Sequence, residues 1–264
     1  MCNTWMFCET GYNRAMSLHV ERAGSGRRVL FIQGVGVAGC GWRPQIEALH
    51  GDLAWFDNRG IGASPGRPGS VEDMARDALE VMDGLGWADA LLVGHSLGGV
   101  IAQQMAILAP ERVTGLALLC TFLQGSGAIS FAPRDMWLNM RTVLGTADMR
   151  RAAFFDLVTD PTLPATEENI LALEQVFGRR LSDLPPVAMA QVRALSRADL
   201  TASIPAFQGP RMVLSATDDR VAPIGQGRAL SAALQTPLIE VAGGHAVTIQ
   251  NANLVNQHLA DFIG

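Results

Sequence analysis

Short apolar runs bounded by Gly, Pro or Asp recur along the chain: "RRVLFIQG" around Val29 to Ile32, then "DLAWFD", "ALLVGHS", "VTGLALLC", "PRMVLSA" and "TPLIEVAG". Stretches with a helical period separate several of them. Strands that alternate with helices predict an α/β fold, with a mainly parallel central sheet and helices on both faces. Ahead of these runs, "TWMFCE" and "SLHVER" flank "TGYNRAM". That arrangement predicts an antiparallel hairpin at the sheet edge.

The helical stretches carry their own signals. In "SVEDMARDALEVMDGLG", Val71, Met74, Ala75, Ala78, Leu79 and Met82 share one face. Ser70 is placed to cap the helix, Asp73 suits its first turn, and Gly84 marks its exit. In "NLVNQHLADFIG", Val255, Leu259 and Phe262 form a similar stripe, which predicts a closing helix docked on the sheet.

Alternation stops from about Phe122 to about Pro205, where "RDMWLNMRTVLG", "DMRRAAFFDLV" and "EENILALEQVFG" read as helices with no strand between them. The expected organisation is a core from residues 1–121 and 206–264, with a helical cap at 122–205 inserted after the sixth strand. Met136, Trp137, Met140 and Leu144 lie at helical spacing, as do Ile170, Leu173 and Phe177. Such stripes predict buried faces. Their place in an insertion also makes Trp137, Met140 and the nearby Phe131 candidates for an apolar substrate-pocket wall.

Composition narrows the chemistry. With 48% hydrophobic and 17% charged residues the chain is globular rather than disordered. All 20 basic residues are Arg, which removes Schiff-base and lysine-base catalysis. A net charge of −5 gives no footprint for nucleic acid, and no run reaches the ~18 apolar residues of a membrane span. The opening "MCNTWMFCETGYNRAM" has neither a basic leader nor an apolar h-region, so a cytoplasmic location is expected. Cys2, Cys8, Cys40 and Cys120 lack C-x-x-C spacing, and neither a metal nor another cofactor is expected.

Candidate chemistry centres on "LLVGHSLGG". A serine in G-x-S-x-G between a buried strand and a helix is a nucleophile elbow. Gly94 and Gly98 remove side chains where strand and helix crowd together, so Ser96 can take a strained conformation with its hydroxyl exposed. A serine hydroxyl needs a base and an orienting carboxylate to attack a carbonyl. "SATDDRVAP" and "VAGGHAVT" follow later strands and supply Asp219 and His245. His95, beside the nucleophile, is expected to point to the other side in a structural role, and His19 has no partner motif.

In family order, "FIQGVG", "FDNRGIGAS", "GHSLGG", "DDRVAP" and "GGHAV" resemble the α/β-hydrolase superfamily, specifically its lidded esterase, enol-lactonase and carbon–carbon-bond hydrolase branch. The resemblance spans nearly the whole chain outside the cap. Family usage implies an acid in an Asp-x-x-x-Pro pattern, which Asp219 to Pro223 matches better than Asp218 does. It implies an oxyanion hole of backbone N–H groups, here Leu97 and Val35, with Gly36 as the alternative to Val35. Many relatives carry His-Gly where this chain has Gln33-Gly34. Gln33 is read as bonding nearby loops, and Asp57 and Arg59 as organising a turn, with substrate-carboxylate recognition the alternative for Arg59.

The resemblance implies a Ser96–His245–Asp219 serine hydrolase of a small, mainly apolar carboxylic ester or lactone, working through an acyl-serine intermediate. Relatives with the same triad also cleave vinylogous diketones or act as ligand receptors, so those two readings stand beside the first.

Overall fold

The computed structural model describes residues 18–128 and 133–264. Its strands are β1 (Val20–Gly24), β2 (Arg28–Ile32), β3 (Asp52–Phe56), β4 (Ala90–His95), β5 (Val113–Leu119), β6 (Arg211–Ala216) and β7 (Leu238–Val241). They form one sheet in the order β1-β3-β2-β4-β5-β6-β7. β1 runs antiparallel to β3, and every other neighbouring pair is parallel. The expected first strand at "TWMFCE" lies outside the described residues. The helical insertion therefore leaves the sheet after the fifth described strand.

Strand periodicity divides the core into two layers. Leu30, Ile32, Leu92, Leu116 and Leu118 face one side, where they meet α2 (Val71–Gly84), α3 (Leu97–Leu108) and α8 (Ile224–Leu234). Val29, Phe31, Leu91, Val93, Ala117 and Leu119 face the other, against Trp42, Val255 and Leu259. The last two lie on α10 (Ala252–Ile263), while the short helices α1 (Arg43–Ile46) and α9 (Val247–Gln250) follow Trp42 and Ala246. Because successive side chains point to opposite faces, these continuous apolar runs cover both sides of a buried parallel sheet. At the start of α2, Ser70 Oγ accepts from Asp73 N–H, while the Asp73 carboxylate accepts from Ser70 N–H. This reciprocal cap satisfies two donors that the helix itself leaves open.

Between β5 and β6 the chain forms α4 (Pro133–Arg141), α5 (Ala147–Val158), α6 (Glu167–Phe177) and α7 (Ala188–Ser196). While α7 joins the sheet core through Ala194 and Leu195, a separate core of Leu138, Phe155, Leu157, Ile170, Leu173 and Phe177 holds α4, α5 and α6 together and packs on Val37 and Ala246. Those two residues follow β2 and β7, so the insertion sits over the C-terminal ends of the strands. In an open parallel sheet, that is where ligands bind.

The stripe of Met136, Trp137, Met140 and Leu144 is not buried, with each side chain about half exposed or more. α4 instead turns Leu138 inward, and Trp137 lies under the Arg141 guanidinium, 4.9 Å from ring centroid to Cζ. Helical spacing establishes that residues share a face but leaves the direction of that face open.

Candidate active site

β4 delivers Ser96 into a backbone conformation with φ of 54° and ψ of −122°. For a residue with a side chain this costs on the order of 1–3 kcal/mol, and the surroundings must hold it in place. Ser96 N–H donates to the Leu119 carbonyl at 3.0 Å, and Thr121 Oγ1 donates to the Ser96 carbonyl at 2.6 Å. A Cβ at Gly98 would stand 1.9 Å from the Ile32 carbonyl oxygen, and one at Gly94 would stand 2.4 Å from the Gly98 oxygen. Only glycine permits that crossing of strand and helix.

Asp219 lies in the turn after β6, its side chain fully enclosed. Oδ1 accepts from Val221 N–H at 2.8 Å and from Ala222 N–H at 2.7 Å, while Oδ2 meets His245 Nδ1 at 2.7 Å. A carboxylate accepts only, so Nδ1 carries the proton and Nε2 is left as the acceptor. Asp218 is exposed and bonded by the Thr217 hydroxyl at 2.7 Å.

The loop after β7 carries His245 against the insertion, where Ala246 N–H donates to the Val158 carbonyl at 2.7 Å. His95 does not point away from the site. It lines the same cavity, and its Nε2 bonds the His245 carbonyl at 2.9 Å. Burial, helped by the neighbouring His245, lowers the His95 pKa to about 3. Its ring is therefore neutral at ordinary pH, with Nε2–H as the donor.

Ser96 and His245 share a cavity of about 330 Å³ with Phe154, Leu157, Phe177 and Leu181. Among the described residues no hydrogen bond joins Ser96 to His245. The hydroxyl lies beside Gly34, where an added Cβ would be 3.5 Å from Oγ. Trp137 and Met140, expected on the pocket wall, are not among the lining residues, and α4 presents Asn139 instead. Phe131 lies outside the described residues.

Two backbone N–H groups near Ser96 have no acceptor among the described residues. Leu97 is the first residue of α3, where the helix leaves N–H groups open and concentrates positive potential. Val35 is the other. Gly36 differs, because its N–H is taken by Gln191 Oε1 at 2.9 Å. Gln33 Oε1 accepts from Gly34 N–H at 3.2 Å, so the side chain found where many relatives carry His braces its own loop.

The remaining polar candidates hold the scaffold. Asp57 accepts from Gly39 N–H at 2.7 Å and Ala63 N–H at 2.9 Å. Arg59 pairs with Asp77 through both Nε and Nη2, away from the cavity lining. His19 is not without a partner, since its Nδ1 lies 3.4 Å from Asp57, whose carboxylate raises the imidazole pKa.

A family model described as alpha/beta hydrolase fold matches residues 27–252, and the chain belongs to that family. It is a hydrolase of the α/β fold. A relative named "Putative carbamate hydrolase RutD" from Variovorax paradoxus is 30% identical, with 94% of this chain and 96% of the relative covered. A protein of the same name from Azorhizobium caulinodans is 28% identical, with 94% and 95% covered. Among solved structures, an enol-lactonase from Burkholderia xenovorans aligns with a TM-score of 0.78 at 24% identity, covering 93% of this chain and 96% of that one. At that identity the likeness is one of fold. No helix among the described residues is long and apolar enough to cross a membrane.

Proposed function

We propose that this chain is a serine hydrolase of a small, mainly apolar carboxylic ester or lactone, with Ser96 as nucleophile, His245 as base and Asp219 as orienting acid. The observation that carries the reading is the 2.7 Å contact between Asp219 and His245 on the wall of a cavity shared with a strained Ser96. Relays of this kind tighten when substrate fills the site, so the free side-chain arrangement is compatible with the chemistry.

In the acylation step, Nε2 of His245 takes the Ser96 proton as Oγ bonds to the substrate carbonyl carbon. The imidazolium forms against Asp219, and the Val35 and Leu97 N–H groups face the oxygen that becomes negative. Collapse breaks the bond to the leaving alcohol, which takes the proton from His245. Water then gives a proton to the same histidine as its oxygen attacks the acyl-serine. The acid leaves, and Ser96 regains its proton. The helices α4 to α7 serve as a cap that screens these steps from bulk water.

The curated relatives favour carbamates as a second reading, because the same attack suits a carbamate carbonyl. A panel of chromogenic short- and medium-chain esters, a lactone, a carbamate and a vinylogous diketone separates the possibilities, run with wild type and Ser96→Ala. Multiple turnover of an ester or lactone that disappears in Ser96→Ala supports the main reading. Preference for the carbamate moves the assignment to the second, and turnover confined to the diketone indicates carbon–carbon cleavage. Tight binding without turnover indicates a receptor.

A further inference from the structure

We infer that Arg179 and Gln191 are positioning residues that clamp the oxyanion loop at Gly36 and thereby make the geometry of the Val35 donor depend on the docked helical insertion. This rests on the hydrolase reading above and adds to it two residues that lie outside the triad and the oxyanion hole.

The loop from Gln33 to Val37 has little of its own to hold it. Its internal backbone bond, Val37 N–H to the Gly34 carbonyl, is long at 3.4 Å. Gly36 has a φ of +69°, a conformation that favours glycine, and without a Cβ its backbone has other states open to it. The insertion grips this residue on both sides. Gln191 Oε1, on α7, accepts from Gly36 N–H at 2.9 Å, and Arg179 Nε, just after α6, donates to the Gly36 carbonyl at 3.0 Å. Both peptide groups flanking Gly36 are thus fixed from outside the loop. On the upstream side, Gly34 is bonded by Gln33 and abuts Ser96. The Val35 N–H sits between those two anchors.

The chemistry of the two side chains argues against simple packing. Gln191 is wholly buried, yet its Nε2 has no acceptor among the described residues. Arg179 Nη2 is likewise enclosed without a partner, and burial lowers the pKa of the guanidinium. An apolar residue at either place would avoid these costs. Arg179 is held in position by Nη1 bonds to the Arg180 and Asp183 carbonyls at 3.0 and 3.1 Å. Its Cζ lies 5.4 and 5.7 Å from the ring centroids of Phe154 and Phe177, both of which line the cavity. The clamp is therefore built into the pocket wall, and occupancy of the pocket bears on the same residues that set the loop.

The test uses the full-length protein as Gln191→Met, Arg179→Met and Arg179→Lys, with the ester that wild type turns over. Misplacing an oxyanion donor removes stabilisation of the transition state, so kcat falls by about ten- to a hundredfold in both Met variants. KM stays within about threefold, because ground-state binding does not use the donor. Binding of an alkyl boronic acid, whose tetrahedral adduct with Ser96 places an oxygen in the hole, weakens by the same factor as kcat. Arg179→Lys, which retains a cationic donor, recovers most of the loss. A kcat near wild type in the Met variants, or a loss carried entirely by KM, overturns the clamp. Should Gln191→Met not fold, the Arg179 pair decides the matter alone. Failure of the underlying hydrolase reading is distinguishable: a fluorophosphonate would not label Ser96 in wild type, or Ser96→Ala would keep its activity.

Discussion

His95 and His245 lie ring against ring, 4.7 Å between centroids, and Nε2 of the first bonds the backbone carbonyl of the second at 2.9 Å. The residue immediately before the candidate nucleophile therefore fixes the backbone of the candidate base. A neutral, buried histidine is suited to that task because it donates without placing a second charge next to His245.

His95→Phe keeps a ring of similar size and removes the donor. A loosened His245 is expected to lower kcat by about tenfold, with little effect on KM. Stability provides an independent readout. The folded-state pKa of His95 is about 3, below its usual 6.5. Unfolded chains therefore take up a proton that the folded protein does not, and stability falls as pH drops from about 6.5 towards 3. Urea midpoints for wild type and His95→Phe at pH 7 and pH 4.5 should show a smaller acid loss in the variant. Equal losses would remove His95 from this role.

Asp219 and Asp218 are adjacent in sequence but differently placed, the first enclosed against His245 and the second exposed. In Asp219→Asn, the Oδ1 position can still accept from the turn N–H groups while the new amide faces His245 Nδ1. That nitrogen must then accept, the proton moves to Nε2, and the histidine cannot take a proton from Ser96. The expected loss in kcat is on the order of a thousandfold or more. Asp218→Ala removes an exposed carboxylate that bonds Thr217 and should leave kcat unchanged. Steady-state kinetics of the two variants discriminates between the acids, and comparable losses would contradict this assignment.

Much of this arrangement was legible in the residues because strong local signals coincide. The runs around Val29 and Leu91 have no polar interruption, so they read as buried strands, and the Gly94-x-Ser96-x-Gly98 spacing marks the place where one of them turns into a helix. Ser70 and Asp73 announce a helix start through capping chemistry alone. The insertion was harder to read. α7 is made largely of good helix formers, but its buried face of Ala188, Gln191, Ala194 and Leu195 is short and mixed, so its pattern gives no sign of what that face packs on. Gln191 and Arg179 meet Gly36 only when α6 and α7 fold over it, a contact more than a hundred residues away in sequence. The Trp137 and Met140 stripe shows the converse, since a clear period lies on the surface once Leu138 has taken the inward position.

Glycine substitutions are expected to have opposite signs at two positions. Gly98→Ala places a methyl 1.9 Å from the Ile32 carbonyl oxygen, a backbone atom that cannot step aside. The elbow must distort, with a stability loss of about 3 kcal/mol or more. An added Cβ at Gly225, in α8, has nothing within 4 Å. There Ala lowers the entropy of the unfolded chain and favours the helix, for a gain of about 0.5 kcal/mol. Urea unfolding of both variants gives the two signs directly, and a neutral Gly98→Ala would show that the strand–helix crossing is looser than described.

Pocket selectivity is expected to respond to buried residues of the insertion rather than to its exposed stripe. Leu157 lines the cavity and is almost wholly enclosed, whereas Trp137 is about half exposed and absent from the lining. Truncation in Leu157→Ala opens space against Phe154 and Phe177 that a longer acyl chain can fill. Each methylene that moves from water into this space gains about 0.8 kcal/mol, or about fourfold in kcat/KM. A series of nitrophenyl esters differing by one methylene should therefore shift towards longer chains in Leu157→Ala. In Trp137→Ala and Met140→Ala the profile should stay at its wild-type maximum. A shift in the two α4 variants with none in Leu157→Ala would place the acyl group on the outer face of the insertion, where Trp137 would have to leave Arg141 to cover it.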